Sequence, residues 1–314
     1  LGYHDGKSFF AMDFSLHGEE GKNKKRPYGL STKQLKARYS KRRDKSSPGS
    51  IRKQEYFTTK IDNMIEMVRT AIGQGLRFDY MLVDSWFTCY ALVKFVSSRR
   101  FGCHLLGMAK MGKTRYLFNG KKLTSKEIID CLRKQKKLKR SKQLKCFYSE
   151  ALVDFNGIQV KLFFCKTSHK GKWNVLLTTN QELGFEQAYK IYAIRWSIEV
   201  FFKESKQYLG LGKCQSQDFD AQIASTTICM LQYNLLSVAK RFTDYESLGE
   251  LFRSTNAETI QLTLAERLWQ LIVDVLADLA ELIEIDTDLL MEKLISDNQS
   301  IVKLTNYKTL LNAG

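Results

Sequence analysis

Five side chains in this sequence have the types and spacing to act on a charged substrate. In the stretch IYAIRWSIEVFFKESK, residues 191–206, Tyr192, Arg195, Glu199 and Lys206 follow at intervals of three, four and seven. A helix advancing about 100° per residue gathers the four within roughly 60° of arc. The neighbouring arc holds Ile191, Ile194, Ile198, Phe201, Phe202 and Leu209 and is expected to face a core. Such a polar stripe suits either a reactive edge or an ordinary amphipathic helix with an Arg195–Glu199 or Glu199–Lys203 pair. The fifth residue, Asp84, ends the apolar run Tyr80-Met81-Leu82-Val83. A carboxylate at the carboxyl end of a central strand can hold a divalent cation through hard oxygens, or can cap the next helix or shape a turn.

The elements that must position these residues are legible in outline. SFFAMDFSLH, residues 8–17, has strand-like apolar content, and GEEGKNKKRPYG reads as an exposed turn. Residues 31–53 are expected to form a basic helix followed by a mobile loop broken at Pro48-Gly49. EYFTTKIDNMIEMVRTAIGQG has helical spacing and stops at Gly73 or Gly75. FDYMLVDSW is a short buried strand, TCYALVKFVSSRR a helix with Thr88 as N-cap, and residues 103–109 a further strand. Three more strands follow in FYSEALVDF, QVKLFFCK and WNVLLTT, the first two joined by a hairpin at Asn156-Gly157. After the motif helix comes a helix over 218–242, then acidic helices. The order implies an α/β core with an insertion.

Charge narrows the partners. The formal net charge is +17, unevenly spread: residues 221–314 hold 7 basic and 13 acidic residues, residues 1–220 hold 43 and 20. This concentration favours a polyanion, most simply nucleic acid, over solubility alone. The basic stretches 22–53 and 131–145 are candidates for phosphate contact, the latter with eight cations and no acid. No run of eighteen apolar residues exists to span a membrane. Seven scattered cysteines without a CxxC pair read as reduced thiols rather than a zinc site.

The spacing Tyr192-x2-Arg195-x3-Glu199-x6-Lys206 resembles the Y-R-E-K signature of bacterial insertion-sequence transposases of the DDE class. The surrounding IYAIRWSIEVFFKESKQYLGLGKCQSQDFDAQIA, the segment YMLVDSWF and the opening LGYHDGKSFFAMDFSLH are similar to that group as well, so the likeness covers most of residues 1–245. The resemblance implies a ribonuclease H-like core whose two aspartates and one glutamate bind two divalent ions, Mg²⁺ or Mn²⁺, for in-line displacement at a phosphodiester. It assigns Asp84 as the second aspartate and Glu199 as the glutamate, both catalytic and metal-binding. Tyr192, Arg195 and Lys206 become contacts to DNA phosphates near the cut end. Residues 1–102 would then be a partial core, 103–180 a β-rich insertion, 181–245 core helices with the motif, and 246–314 an acidic helical region.

The implied partners are double-stranded DNA, as terminal inverted repeats and target, and a second copy in a synaptic homodimer, in the bacterial cytoplasm. One departure is serious: the family's Asp-Asp-Thr-like stretch with the first aspartate does not occur. Asp5 reads as a turn residue and Asp13 as a strand residue facing a basic neighbour or solvent. The expectation is a chain lacking its N-terminal strand and impaired in catalysis. The rival readings are a non-catalytic DNA-binding remnant or a ribonuclease H-like nuclease.

Several weaker signals complete the reading. Trp86 and Trp196 are expected to serve chiefly as packing, with base stacking the alternative for Trp86. Gln215, Gln217 and Gln222 would bond backbone or base edges. Leu268, Ile272, Val275, Leu279 and Leu282 form a four-three seam suited to a coiled coil or to packing within the chain's own domain.

Overall fold

The computed structural model describes residues 1–17, 23–24, 31, 33, 41–55, 58–98, 102–216, 218–257, 268 and 275. The Glu19-Glu20 turn, fifteen residues of the basic stretch 22–53, Gln217 and three of the five seam residues lie outside them. The chain divides into two units, Leu1–Leu235 and Leu236–Gly314.

In the first unit, β1 (Gly2–His4) and β2 (Phe9–Ala11) form a two-stranded antiparallel sheet. Asp5 closes its turn, its Oδ1 accepting from the N–H groups of Lys7 and Ser8 at 3.0 and 2.9 Å. The strand-like run 8–17 is thus a strand only to Ala11. Asp13 lies just beyond, 2.5 Å from Arg52 on α1 (Pro48–Glu55). Pro48 does not break a helix there; it begins one. Its fixed φ suits the first helical position, and the Ser47 hydroxyl accepts from the N–H of Ser50 at 3.3 Å. Next, α2 (Lys60–Gly73) is capped by Thr59, whose side chain accepts from Asp62 N–H at 3.1 Å.

The large sheet has eight strands. Seven run in the spatial order β3 (Tyr80–Val83), β4 (His104–Ala109), β10 (Asn174–Thr178), β9 (Ile158–Lys166), β8 (Cys146–Phe155), β5 (Arg115–Phe118) and β6 (Lys121–Thr124), while β7 (Lys139–Ser141) pairs with the start of β8. Only β3 and β4 are described as a parallel pair. The Asp84 strand was expected at the centre of its sheet. It lies at the edge instead, because among the described residues β3 pairs with β4 alone. Strands between residues 103 and 180 join this sheet directly rather than building a separate one.

Alternation fixes the two faces. Met81, Val83, Leu105, Val175, Leu177, Val160, Leu162 and Phe164 point to one core, closed by α2, α3 (Tyr90–Ser97) and α4 (Ser125–Lys134) through Val68, Leu92, Val93, Ile128 and Leu132. Tyr80, Leu82, Leu106, Met108, Phe163 and Leu176 point to the other, covered by Phe185, Ala188, Ile191 and Tyr192 of α5 (Phe185–Ala193). Each fully buried side chain of this kind contributes about 1.5–3 kcal/mol. Asn156-Gly157 turns β8 into β9 with φ of 54° and 91°, the left-handed pair that a two-residue hairpin requires.

A 3-10 turn, Ile194–Trp196, links α5 to α6 (Ser197–Tyr208), and α7 spans Phe219–Lys240. The motif stretch is therefore not one helix. Its halves serve different cores: α5 packs on the large sheet, whereas Phe201 of α6 meets Phe9 of the hairpin and Tyr233 of α7 at ring centroids of 5.7 and 4.8 Å. Of the six apolar residues expected to face one core, only Phe201 is fully buried, and Phe202 is exposed. The hairpin is tied to α7 by Asn234, whose amide accepts from Ala11 N–H and donates to Ala11 O, both at 2.8 Å.

In the second unit, residues 248–257 are helical, with Leu248 and Leu251 buried. Leu268 and Val275 of the proposed seam are exposed. No described helix is long and apolar enough to cross a membrane.

Candidate functional site

Asp84 follows Val83, so alternation turns it to the face of Tyr80 and Leu82, the face covered by α5. Its Oδ1 accepts from the N–H groups of Trp86 and Phe87 at 2.7 and 3.3 Å. Its carbonyl accepts from the Thr88 hydroxyl at 2.9 Å. Thr88 thus fastens the turn and does not cap α3, whose N-cap is Cys89 without a side-chain bond. Gly107 of β4 makes room for this turn: a Cβ there would lie 2.4 Å from Thr88 Oγ1 and 2.7 Å from Val83 Cγ2.

Tyr192 lies in the last turn of α5, Arg195 sits in the 3-10 turn and Glu199 lies in the first turn of α6. Arg195 Nη2 donates to Glu199 Oε1 at 2.7 Å, and the guanidinium carbon lies 5.7 Å from the Tyr192 ring centroid. Burial pushes the Tyr192 hydroxyl above its ordinary pKa, Arg195 opposes this, and the charge of Asp84 adds to the rise. Burial works against the charge of Arg195, but the Glu199 hydrogen bond and the influence of Tyr192, Glu199 and Asp84 outweigh it, so its pKa is raised. The negative charge of Asp84 thus acts on both residues of the α5–α6 junction. Four sequence-selected residues, Asp84, Tyr192, Arg195 and Glu199, share one neighbourhood. Lys206 is exposed two turns further along α6.

The Arg195–Glu199 pair adds little stability. Its side chains are 22% and 40% exposed, and the basic residue precedes the acid, the weaker orientation at this spacing. Arg195 Nε is buried without a hydrogen-bond partner. That nitrogen is enclosed by protein, so a phosphate oxygen would meet the guanidinium through its terminal nitrogens.

Both tryptophans differ from the packing role expected of them. Trp86 is 71% exposed and Trp196 60%. Lys110 Nζ lies 4.7 Å and Lys60 Nζ 5.7 Å from the Trp86 ring centroid. Sequence reasoning missed both lysines; the available signal was a cation directly after the strand that runs parallel to the Asp84 strand. Gln222 spends its amide on the backbone, donating to the carbonyls of Cys214 and Ser216 at 3.2 and 2.5 Å.

Hard carboxylate oxygens suit a divalent cation. Asp84 and Glu199 fit one such ion in chemistry, with Asp84 Oδ1 already committed to backbone N–H groups. Among the described residues no group of three His, Cys, Asp or Glu side chains forms a fuller metal site. A two-ion centre is not complete in them.

A family model described as the transposase DDE domain matches residues 36–235. No curated protein matches the chain. A solved structure, a piggyBac transposase synaptic complex with hairpin DNA, aligns at 14% identity with a TM-score of 0.38, covering 68% of this chain and 42% of that one. The chain thus spans less than half the length of that structure.

Proposed function

The chain belongs to the transposase DDE domain family, and from that premise we propose that it is the catalytic part of a bacterial insertion-sequence transposase, acting in the cytoplasm. It binds terminal inverted repeats and target DNA as a homodimer, hydrolyses a strand at each transposon end and joins the freed 3′-hydroxyl to target. The large sheet with its hairpin and motif helices is read as containing a ribonuclease H-like core, with residues 103–180 as its β-rich insertion.

One observation carries this reading. The charge of Asp84, from the end of β3, acts on Tyr192 and Arg195 at the junction where Arg195 holds Glu199. Members of the family generally use a divalent metal. Asp84 and Glu199 would hold such an ion, Mg²⁺ or Mn²⁺, which when bound neutralises phosphate oxygens and activates a hydroxyl. Arg195 and Lys206 would fix phosphates of the cut strand, while Tyr192 buttresses the guanidinium.

The two-carboxylate donor set favours a second reading, a non-catalytic DNA-binding protein. Pre-cut duplex ends, supplied with Mg²⁺ or Mn²⁺ and a target plasmid, separate the two. We expect at most weak joining, because the described residues supply only two of the carboxylates, and any joined product should be lost in Asp84→Asn and Glu199→Gln. A mobility shift without product supports the second reading, and shortening of the ends supports a nuclease. Ends that stay unbound at every protein concentration sink all three.

A further inference from the structure

The two ends of the five strands β3, β4, β10, β9 and β8 differ in charge. At the end where β3 delivers Asp84, residues 84–89, 110–111, 142–145 and 167–173 carry five cations and one acid, Asp84 itself. At the other end, residues 77–79, 102–103, 155–158 and 179–184 carry one cation and two acids. The strand register shows that the basic segments form one continuous rim. Val83 pairs with Gly107, which brings Trp86 level with Lys110, and the two lie 4.7 Å apart. Ala109 pairs with Val175, Asn174 with Cys165, Lys166 with Phe147, and Phe147 with Arg140.

Along this rim cations are set against rings. Lys166 lies 4.8 Å from the Trp173 centroid, Arg140 5.6 Å from Phe147 and Lys139 5.9 Å from Tyr148. These contacts fix the charges in place and occupy ring faces that a nucleobase would otherwise stack upon. Two acids reach the rim: Glu150 pairs with Lys139 at 2.9 Å, and Glu186 accepts from Ser141 Oγ at 2.5 Å. Lys142, Lys145, Lys170 and Lys172 stand exposed on the turns between.

We infer that this rim is a track for duplex DNA, leading from Asp84 to Arg140 and gripping the phosphate backbone of the sequence that flanks the reacting strand. The inference rests on the reading of Asp84 as part of the reacting site. Five interstrand steps of about 4.8 Å give a track of about 24 Å, the length of about 7 base pairs. With ring faces occupied and lysines presented on turns, recognition is by charge and independent of sequence.

The test measures binding of mixed-sequence duplexes, from about 6 to about 20 base pairs, to the full chain by fluorescence anisotropy over a salt series. The variant replaces Lys142, Lys145, Lys170 and Lys172 by Gln. We expect its affinity for the longer duplexes to fall about tenfold to a hundredfold at low salt, with the salt slope flattened by about 2–4. Affinity for the shortest duplex, which one end of the track accommodates, should fall much less. Lys121→Gln with Lys122→Gln, on exposed β6 away from the rim, should change binding less than about twofold. Because all four rim lysines are exposed, an unchanged melting temperature is expected and excludes misfolding. A steep slope in the original chain that the fourfold variant leaves intact overturns the track alone. Tighter binding of single strands, lost in Trp86→Ala, overturns it in favour of stacking. Absence of duplex binding by the original chain overturns the track and the proposed function together.

Discussion

Two arginines in this molecule hold carboxylates in different ways. Arg52 is held by two carboxylates: Nη1 donates to both oxygens of Glu55 at 2.9 and 3.1 Å, Nη2 reaches Asp13 at 2.5 Å, and the guanidinium lies 4.4 Å from the Phe14 ring centroid. Arg195 makes one strong bond to a half-exposed Glu199 and leaves Nε unfilled. The first arrangement fastens the β1–β2 hairpin region to α1. The second is a single ion pair to a half-exposed carboxylate, which a phosphate could displace more readily. An ion pair's completeness thus separates scaffold from site better than its length does.

Removing each arginine should break this contrast most visibly. Arg52→Ala leaves Asp13 and Glu55 partly buried without their cation and should cost about 2–4 kcal/mol in urea unfolding. Arg195→Ala should cost less than about 1 kcal/mol yet weaken duplex binding about tenfold or more. Equal stability losses would show that both pairs are structural.

The floor of the site comes next. Gly107→Ala pushes a methyl against Thr88 and Val83 and should destabilise by about 1–3 kcal/mol, loosening the turn that orients Asp84. A melting temperature matching that of the unsubstituted chain would show that the turn yields freely.

Glu199→Gln sharpens the comparison from the other side. It removes a negative charge and frees Arg195, so duplex binding at low salt should tighten about twofold to fivefold while stability stays within about 0.5 kcal/mol. Weaker binding would mean that Glu199 positions the guanidinium rather than occupies it.

The smallest effect is in pH. Burial, the largest influence, raises the pKa of Glu55 above its ordinary 4.5 despite Arg52. A carboxyl raised on folding contributes stability below the ordinary value, lost as pH rises through the folded one. Glu55→Gln should flatten that decline in a series of melting temperatures starting below pH 4.5.

Much of the scaffold was legible because local rules acted alone. Asn156-Gly157 dictated the β8–β9 hairpin, and the period of residues 60–73 dictated α2. The same rules were present but overlooked at Asn119-Gly120, which joins β5 to β6, and at Thr124 with Glu127, which form the capping box of α4. Pro48-Gly49 misled because proline ends and begins helices with equal ease. At the site, the types and spacing of Asp84, Tyr192, Arg195 and Glu199 were readable. The 3-10 turn was not, since it arises where one helix must serve two cores. Nor was the exposure of Trp86, which stands on the turn after β3.

The side-chain amide of Asn234 meets Ala11 as a neighbouring peptide group would, so a helix supplies β2 with a one-residue surrogate strand. Spontaneous deamidation there would replace a donor by an anion facing the carbonyl oxygen of Ala11. Slow chemical ageing at this single position would therefore begin to unzip the hairpin, long before any change reached the motif residues.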